Sequence, residues 1–383
     1  MTSLYDFNFS IPGSLIFGPG KRFELNNILG TSPLKILILT GSSWFYRLEL
    51  DKEFSQILKG NQCRFCRIEK NEPTVESIAG ALNEARDFSP DLMIAVGGGS
   101  VLDSAKALSG LLTNGGNVLD YLEGIGQNRP IVKPGLTWIA IPTTAGTGSE
   151  VSKNAVIKSP VHGVKKSMRS PLIMASHVIV DPELHISASS EVTAYAGLDA
   201  IVQLFESYVS KKAQPMTSAL VEGCFVHSLS ALLSLSLGKN TLENRTIIAY
   251  GSLISGIALA NAGLGAVHGF ASSIGGKFDI PHGQICALFF NPVLEHNRES
   301  IGSKLDKLLA SAAGGEDPFE WLKKIFTCIL SNFRLPLNLS HFSISESDIE
   351  EVANKTSGSS MSGNPCSMTL ESRCKILKEV FRV

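Results

Sequence analysis

Four short stretches, "KILILT" (35–40), "DLMIAV" (91–96), "TWIAIP" (137–142) and "VIVDP" (178–182), place their apolar residues consecutively rather than alternately. A strand of that kind is buried on both faces, which in a sheet means parallel strands covered by helices on either side. Helical patterns over 75–87 and 100–112 lie between these runs and supply the crossovers. The chain from about residue 35 to 182 therefore reads as α/β. Beyond Ser187 the strand runs stop, and amphipathic patterns over 191–209, 216–237, 244–262, 301–312 and 317–331 follow one another. Gly and Pro punctuate them at "SLGKN", "ANAGLGAVHG" and "DIPHG". We expect an α/β domain over 1–186 and an all-helical domain over 187–383, and 383 residues suffice for two such cores.

A net charge of -1 with both signs interspersed leaves neither a basic stripe for nucleic acid nor a polybasic segment for a membrane, so a small-molecule partner is expected. The opening "MTSLYDFNFSIPG" has no charged n-region or apolar h-region, and no apolar stretch reads as long and glycine-poor enough to cross a bilayer. A cytoplasmic location follows as an expectation. Seven scattered cysteines fit reduced thiols, and Cys63 and Cys66, a C-x-x-C with no second pair nearby, read as ordinary thiols.

Two loops have the makings of a phosphate site. In "DLMIAVGGGSVLDSAKAL" an apolar strand runs into Gly97, Gly98, Gly99 and Ser100, and then into a helix. Glycines let the backbone come close to a ligand, and the N–H groups at a helix start favour phosphate oxygens. "IPTTAGTGSEVS" follows another strand and gathers Thr143, Thr144, Thr147 and Ser149 among glycines, at the strand end where open parallel sheets bind ligands. Together the loops favour a nucleotide.

"GLDAIVQLFESYV" poses a different problem. Asp199, Gln203 and Glu206 share one face of an otherwise apolar helix. A carboxylate buried there needs a metal, a basic residue or trapped water. His268 and His282 flank "GFASSIGGKFDIP", which can turn the chain back and bring both imidazoles together, so Asp199, His268 and His282 form a candidate metal-ligand set. Glu206 reads as a carboxylate that stabilises the helix or orients a ligand.

"LIFGPG", "GGGSVLDSAK", "IPTTAGTGSEVS", "VDPEL", "GLDAIVQLFESYVS", "AVHGFASSIGGKFDIPHG" and "GNPCSMTLES" occur in that order along nearly the whole chain. On these motifs the sequence resembles the iron-containing, or group III, alcohol dehydrogenases of the dehydroquinate synthase-like superfamily. The resemblance implies an N-terminal dinucleotide-binding α/β domain, a C-terminal helical domain, a metal in the cleft between them, and a homodimer or larger homo-oligomer. The implied reaction is reversible oxidation of an alcohol to an aldehyde or ketone by NAD or NADP.

Matched residue by residue, the resemblance makes Gly97, Gly98, Gly99, Ser100 and Asp103 the pyrophosphate loop. It adds Thr143, Thr144, Thr147, Asn154 and Lys165 as further cofactor contacts, and makes Asp199, His268 and His282 ligands of one divalent ion, iron or zinc. Gln203 stands where the family commonly has His and can ligate through its carbonyl oxygen. Ser272 stands where it has a second His. Gly41 occupies the place of an Asp that would hold the adenosine ribose, so NADP(H) is tolerated and slightly favoured, with Ser42 as a donor. Two rival readings stay open: a metal-independent reductase of the maleylacetate type and a non-catalytic nucleotide-binding protein. A lyase using the same cofactor, as in dehydroquinate synthase, is a third.

Overall fold

The computed structural model of the chain describes residues 6–41, 43–68, 72–278, 280–357 and 360–382. The chain divides into two compact units. One comprises Ser10–Thr144 and Gly148–His185; the other comprises the residues from Ile186 onward, with Ala145–Thr147 and the N-terminal segment up to Phe9.

The first unit is built on β1 (Ser14–Phe17), β2 (Lys35–Gly41), β3 (Gln62–Ile68), β4 (Leu92–Gly97), β5 (Trp138–Pro142) and β8 (His177–Val180), with a hairpin of β6 (Asn154–Ser159) and β7 (Val164–Arg169). The six strands form one sheet in the order β1-β8-β5-β4-β2-β3, every pair parallel. Its helices are α1 (Leu25–Leu29), α2 (Trp44–Arg47), α3 (Leu50–Ile57), α4 (Val75–Phe88) and α5 (Gly99–Asn114). Ile36 and Ile38 of β2 pack with Ile94 and Val96 of β4 and with Phe45 and Phe54 in one core. Leu37, Leu39, Met93 and Ala95, which point to the other face, are buried as fully. Both faces are covered, and this is why these runs show no alternation.

The chain leaves β2 towards β3 on one side and β4 towards β5 on the other, so the strand order reverses at this pair. Ligands of open parallel sheets bind at such a reversal, beyond the carboxyl ends of the strands. Gly41 ends β2 and Gly97 ends β4.

The second unit is helical: α6 (Ser190–Val209), α7 (Pro215–Glu222), α8 (Phe225–Ser236), α9 (Leu242–Ala262), α10 (Ala266–Lys277), α11 (His282–Leu309), α12 (Pro318–Asn332), α13 (Glu346–Lys355) and α14 (Leu370–Phe381). Helix α6 packs against α7, α8, α9 and α11 and is buried along most of its length. Ser189 caps it, accepting from Val192 N at 3.2 Å. Phe205 meets Phe290 of α11 edge-on at 5.2 Å between ring centres, and Phe290 stacks on Phe326 of α12 at 4.2 Å.

The structure departs from the sequence reading at four points. The pattern over 216–237 is two helices, broken at Gly223 and Cys224. By length and hydropathy alone Pro215–Ser236 qualifies as a membrane span, contrary to the reading that no stretch does. It is interrupted at that break, and Phe225, Leu229 and Leu232 are buried in the unit's core. Residues 301–312 fall largely in the last third of α11, which starts at His282 and carries Pro292 inside it. The antiparallel β6–β7 hairpin was not anticipated in a domain read as parallel strands and helices.

Candidate functional site

The polar face of α6 finds its partners within the helical unit. Asp199, Gln203 and Glu206 are each 3% exposed. The Oδ1 atom of Asp199 lies 3.1 Å from His268 Nε2 on α10 and 3.7 Å from His282 Nε2, the first residue of α11. Its Oδ2 accepts from the Gln203 amide nitrogen at 3.0 Å, and the Gln203 oxygen accepts from Ser255 Oγ of α9 at 2.9 Å.

One turn on, the Glu206 carboxylate sits at the start of α10. Its oxygens accept from the backbone N–H groups of Gly265 at 2.9 Å and Val267 at 2.7 Å, and lie 2.8 Å from Nδ1 of His268. A negative charge at a helix N-terminus is favoured by the unpaired N–H groups and the helix dipole. With a proton on Nδ1 shared with Glu206, the lone pair of His268 Nε2 faces the Asp199 oxygen. Two acceptors 3.1 Å apart repel unless a cation, a proton or a metal ion, sits between them.

Burial opposes charge on Asp199, yet the hydrogen bond to His268 and the nearby His282 outweigh it and hold its carboxyl below the ordinary range. Burial likewise disfavours the charged form of His268, but Cys286, Asp199 and Glu206 raise its affinity for a proton well above that of a free imidazole. His268 is buried, whereas the side chain of His282 is 39% exposed, so the cluster opens to solvent on the His282 side.

The structure adds a residue that sequence reasoning missed. Cys286 stands one turn after His282 on α11, with Sγ 3.6 Å from His282 Nε2 and 3.7 Å from His268 Nε2. Among the described residues, donor atoms of Asp199, His268, His282 and Cys286 all lie within 4.8 Å of one another. One carboxylate, two imidazoles and a thiol suit divalent iron or zinc better than magnesium or calcium. The available signal was the spacing of four from His282 to Cys286, which puts both on one helix face. Gly283 sets the approach: a Cβ there would lie 2.3 Å from the carbonyl oxygen of Tyr195, one turn before Asp199 on α6. Ser272 is exposed on α10.

In the α/β unit the two loops meet. Thr143 N donates to Gly97 O at 3.1 Å, and a Cβ on Gly98 would stand 3.1 Å from Thr144 Oγ1. A Cβ on Gly97 would be 2.5 Å from a methyl of Val101, so α5 packs directly over the end of β4. Gly99 and Ser100 form the first turn of α5, where N–H groups lack intrahelical partners.

The other expected cofactor residues are differently engaged. Asp103 Oδ1 accepts from Ser149 Oγ at 2.5 Å and pairs with Lys106 Nζ at 2.9 Å, while Oδ2 accepts from Val156 N at 3.0 Å. The Lys106 ammonium, wholly buried, also donates to Ser149, Ser152 and the carbonyl of Asn154. These bonds pin α5 to the segment leading into β6. Lys165 of β7 forms an ion pair with Glu72 at 2.6 Å. Thr147 belongs to the short segment that groups with the helical unit, and Ser42 lies outside the described residues. Glu150 is buried beside this network, and burial pushes its carboxyl up to about 7.

Comparison with known proteins places the chain. Residues 12–182 match the family model of iron-containing alcohol dehydrogenase, and residues 193–381 that of the Fe-containing alcohol dehydrogenase family, C-terminal. Long-chain-alcohol dehydrogenase 1 of Geobacillus thermodenitrificans is 34% identical over 73% of this chain and 72% of its own length. The NAD-dependent methanol dehydrogenase of Bacillus methanolicus is 28% identical over 98% of this chain and 100% of its own. The solved structure of the iron-containing alcohol dehydrogenase of Thermococcus thioreducens superposes with a TM-score of 0.86 at 28% identity, covering 98% of this chain and 100% of that one. The chain belongs to the iron-containing alcohol dehydrogenase family, and as such is a nicotinamide-linked, metal-binding oxidoreductase that acts on the CH–OH group of alcohols or on the corresponding aldehydes.

Proposed function

We propose that Asp199, His268 and His282 hold the divalent ion, iron or zinc, on which alcohol oxidation and aldehyde reduction by this chain depend. The observation that carries the reading is the convergence of Asp199 Oδ1 and the two Nε2 atoms, with Glu206 fixing the ring of His268 from behind. A bound ion supplies Lewis acidity that favours loss of the alcohol proton and polarises an aldehyde carbonyl. The chain's own residues do the positioning. Glu206 sets which nitrogen of His268 faces the ion, and Gln203 holds the outer oxygen of Asp199 so that the inner one stays directed at the imidazoles.

In the α/β unit, Gly97, Gly98, Gly99 and Ser100 receive the pyrophosphate, with Thr143 and Thr144 beside them and Thr147 on the nicotinamide side. Asn154 and Lys165 line the same cofactor in this reading, while Asp103 acts through Ser149 and Val156 by fixing the loop. Gly41, with no carboxylate at the end of β2, admits the 2'-phosphate, so NADP(H) is accepted alongside NAD(H). Seven cysteines, all unpaired, support a reducing, cytoplasmic setting, and the family resemblance supports a homodimer or larger assembly.

The test is turnover. Enzyme purified without chelator is assayed for NAD(P)H absorbance against a panel of alcohols and aldehydes with both nicotinamides, then stripped of metal and reassayed. We expect activity that falls to background on stripping and returns with iron(II) or zinc. Undiminished turnover by ion-free protein would sink the metal assignment in favour of a maleylacetate-type reductase. Tight cofactor binding with no turnover of any substrate would favour the non-catalytic reading.

A further inference from the structure

We propose that Cys286 supplies a thiolate as a fourth ligand to the ion, an inference that rests on the assignment of Asp199, His268 and His282 above. His282 and Cys286 are four residues apart on α11, and their side chains leave the same face of the helix. The sulfur stands 3.6 Å from His282 Nε2 and 3.7 Å from His268 Nε2, and the two imidazoles stand 3.7 Å and 3.1 Å from Asp199 Oδ1. Metal–nitrogen bonds of about 2.0–2.1 Å and metal–sulfur bonds of about 2.3 Å, opened to tetrahedral angles, put neighbouring donor atoms roughly 3.3–3.6 Å apart. The observed separations bracket that range.

The surroundings argue the same way. A buried cysteine that serves only to fill space packs its sulfur among apolar atoms. Cys286 is wholly buried, yet its sulfur is directed at two imidazole nitrogens. Gln203 is engaged elsewhere: its oxygen takes the Ser255 hydroxyl and its nitrogen the outer oxygen of Asp199. The side chain that reaches the open corner of the Asp199, His268 and His282 triangle is therefore the thiol. On binding, the thiol proton leaves to solvent and the sulfur–metal bond forms, with no change in oxidation state. Thiolate is a soft donor, so the set favours zinc over manganese and magnesium and tolerates cobalt(II) as a probe.

The experiment uses the full-length protein, stripped with a chelator and reloaded with cobalt(II) or zinc. With one equivalent of cobalt(II) the unaltered protein should develop a near-ultraviolet sulfur-to-cobalt charge-transfer band, which Cys286→Ser and Cys286→Ala should lack. Zinc affinity, read by chelator competition, should fall in both variants by at least the roughly 10–100-fold that loss of a ligand's hydrogen-bond partner brings. The unaltered protein tests the inference even where a variant fails to fold. Binding of one cobalt ion without the band would overturn the role of Cys286, as would a Cys286→Ala protein that keeps both band and affinity. Asp199→Asn separates the two readings. If it abolishes metal binding while Cys286→Ala changes nothing, the three-ligand assignment stands and the thiolate does not. Failure of the unaltered protein to bind either ion would remove both.

Discussion

The Oε2 atom of Glu206 on α6 lies 2.8 Å from Nδ1 of His268 on α10, and the same carboxylate accepts from the N–H groups of Gly265 and Val267. One side chain thus starts a helix and aims an imidazole. Glu206→Gln keeps the size but removes the charge and one acceptor, so His268 loses its fixed tautomer. Metal affinity should fall about 10–100-fold, read by chelator competition, and stability by roughly 1–3 kcal/mol, read by urea unfolding. Unchanged affinity would show that the ring is oriented by packing alone.

Lys106 is held by Asp103, Ser149, Ser152 and the carbonyl of Asn154 with no access to water. Burial lowers its affinity for a proton, and Asp103 restores part of it. Lys106→Met removes the cation and leaves the Asp103 carboxylate without its ion pair. Loss of one partner of a buried pair destabilises by about 3–5 kcal/mol. The urea midpoint should drop accordingly at constant slope.

Glu150 makes a pH prediction. Burial raises its carboxyl from 4.5 to about 7, so between those values the folded chain holds a proton that the unfolded chain has lost. Stability from this site is fully present below pH 4.5 and is lost as pH rises through about 7. Glu150→Gln removes the titration. The variant should match the parent's pH trend less steeply and gain on it by about 3 kcal/mol above neutral pH, seen as a difference in urea midpoint that grows between pH 5 and pH 8. A constant difference across that range would refute the assignment.

Gly41 stands at the end of β2; among the described residues, its chain neighbours aside, no heavy atom lies within 4 Å of where a Cβ would sit, and its φ is not in the left-handed region. An Asp fits there without strain. Gly41→Asp should shift the ratio of NADP+ to NAD+ affinity towards NAD+ by about tenfold or more, as a carboxylate meets a 2'-phosphate. Fluorescence titration with both dinucleotides checks it.

What could be read in the sequence follows from how each element is buried. β2, β4, β5 and β8 announced themselves because both faces are covered, which leaves an unbroken apolar run. β3, "QCRFCRI", lies at the sheet edge with polar residues interleaved, and the hairpin strands "NAVIKS" and "VKKSMR" carry lysines and serines, so none gave the same signal. The first half of α11 was obscured by Gly283 and Pro292, residues that ordinarily end helices. At the site, the stripe of Asp199, Gln203 and Glu206 was legible as a problem of buried charge. Its solution came from α10 and α11, distant in sequence. Cys286 carries no such signal, because one scattered thiol looks like any other until His282 is known to share its helix face.

Gly283 has a consequence that reaches beyond its own position. Because a hydrogen atom is all that fits between it and Tyr195, the first turn of α11 rests on the backbone of α6, and the spacing of those two rods is what sets the gap from His282 to Asp199. The spacing of the side chains proposed to hold an ion is therefore gauged by main-chain contact rather than by those side chains themselves. A single methyl group at position 283 would wedge the two helices apart at this turn.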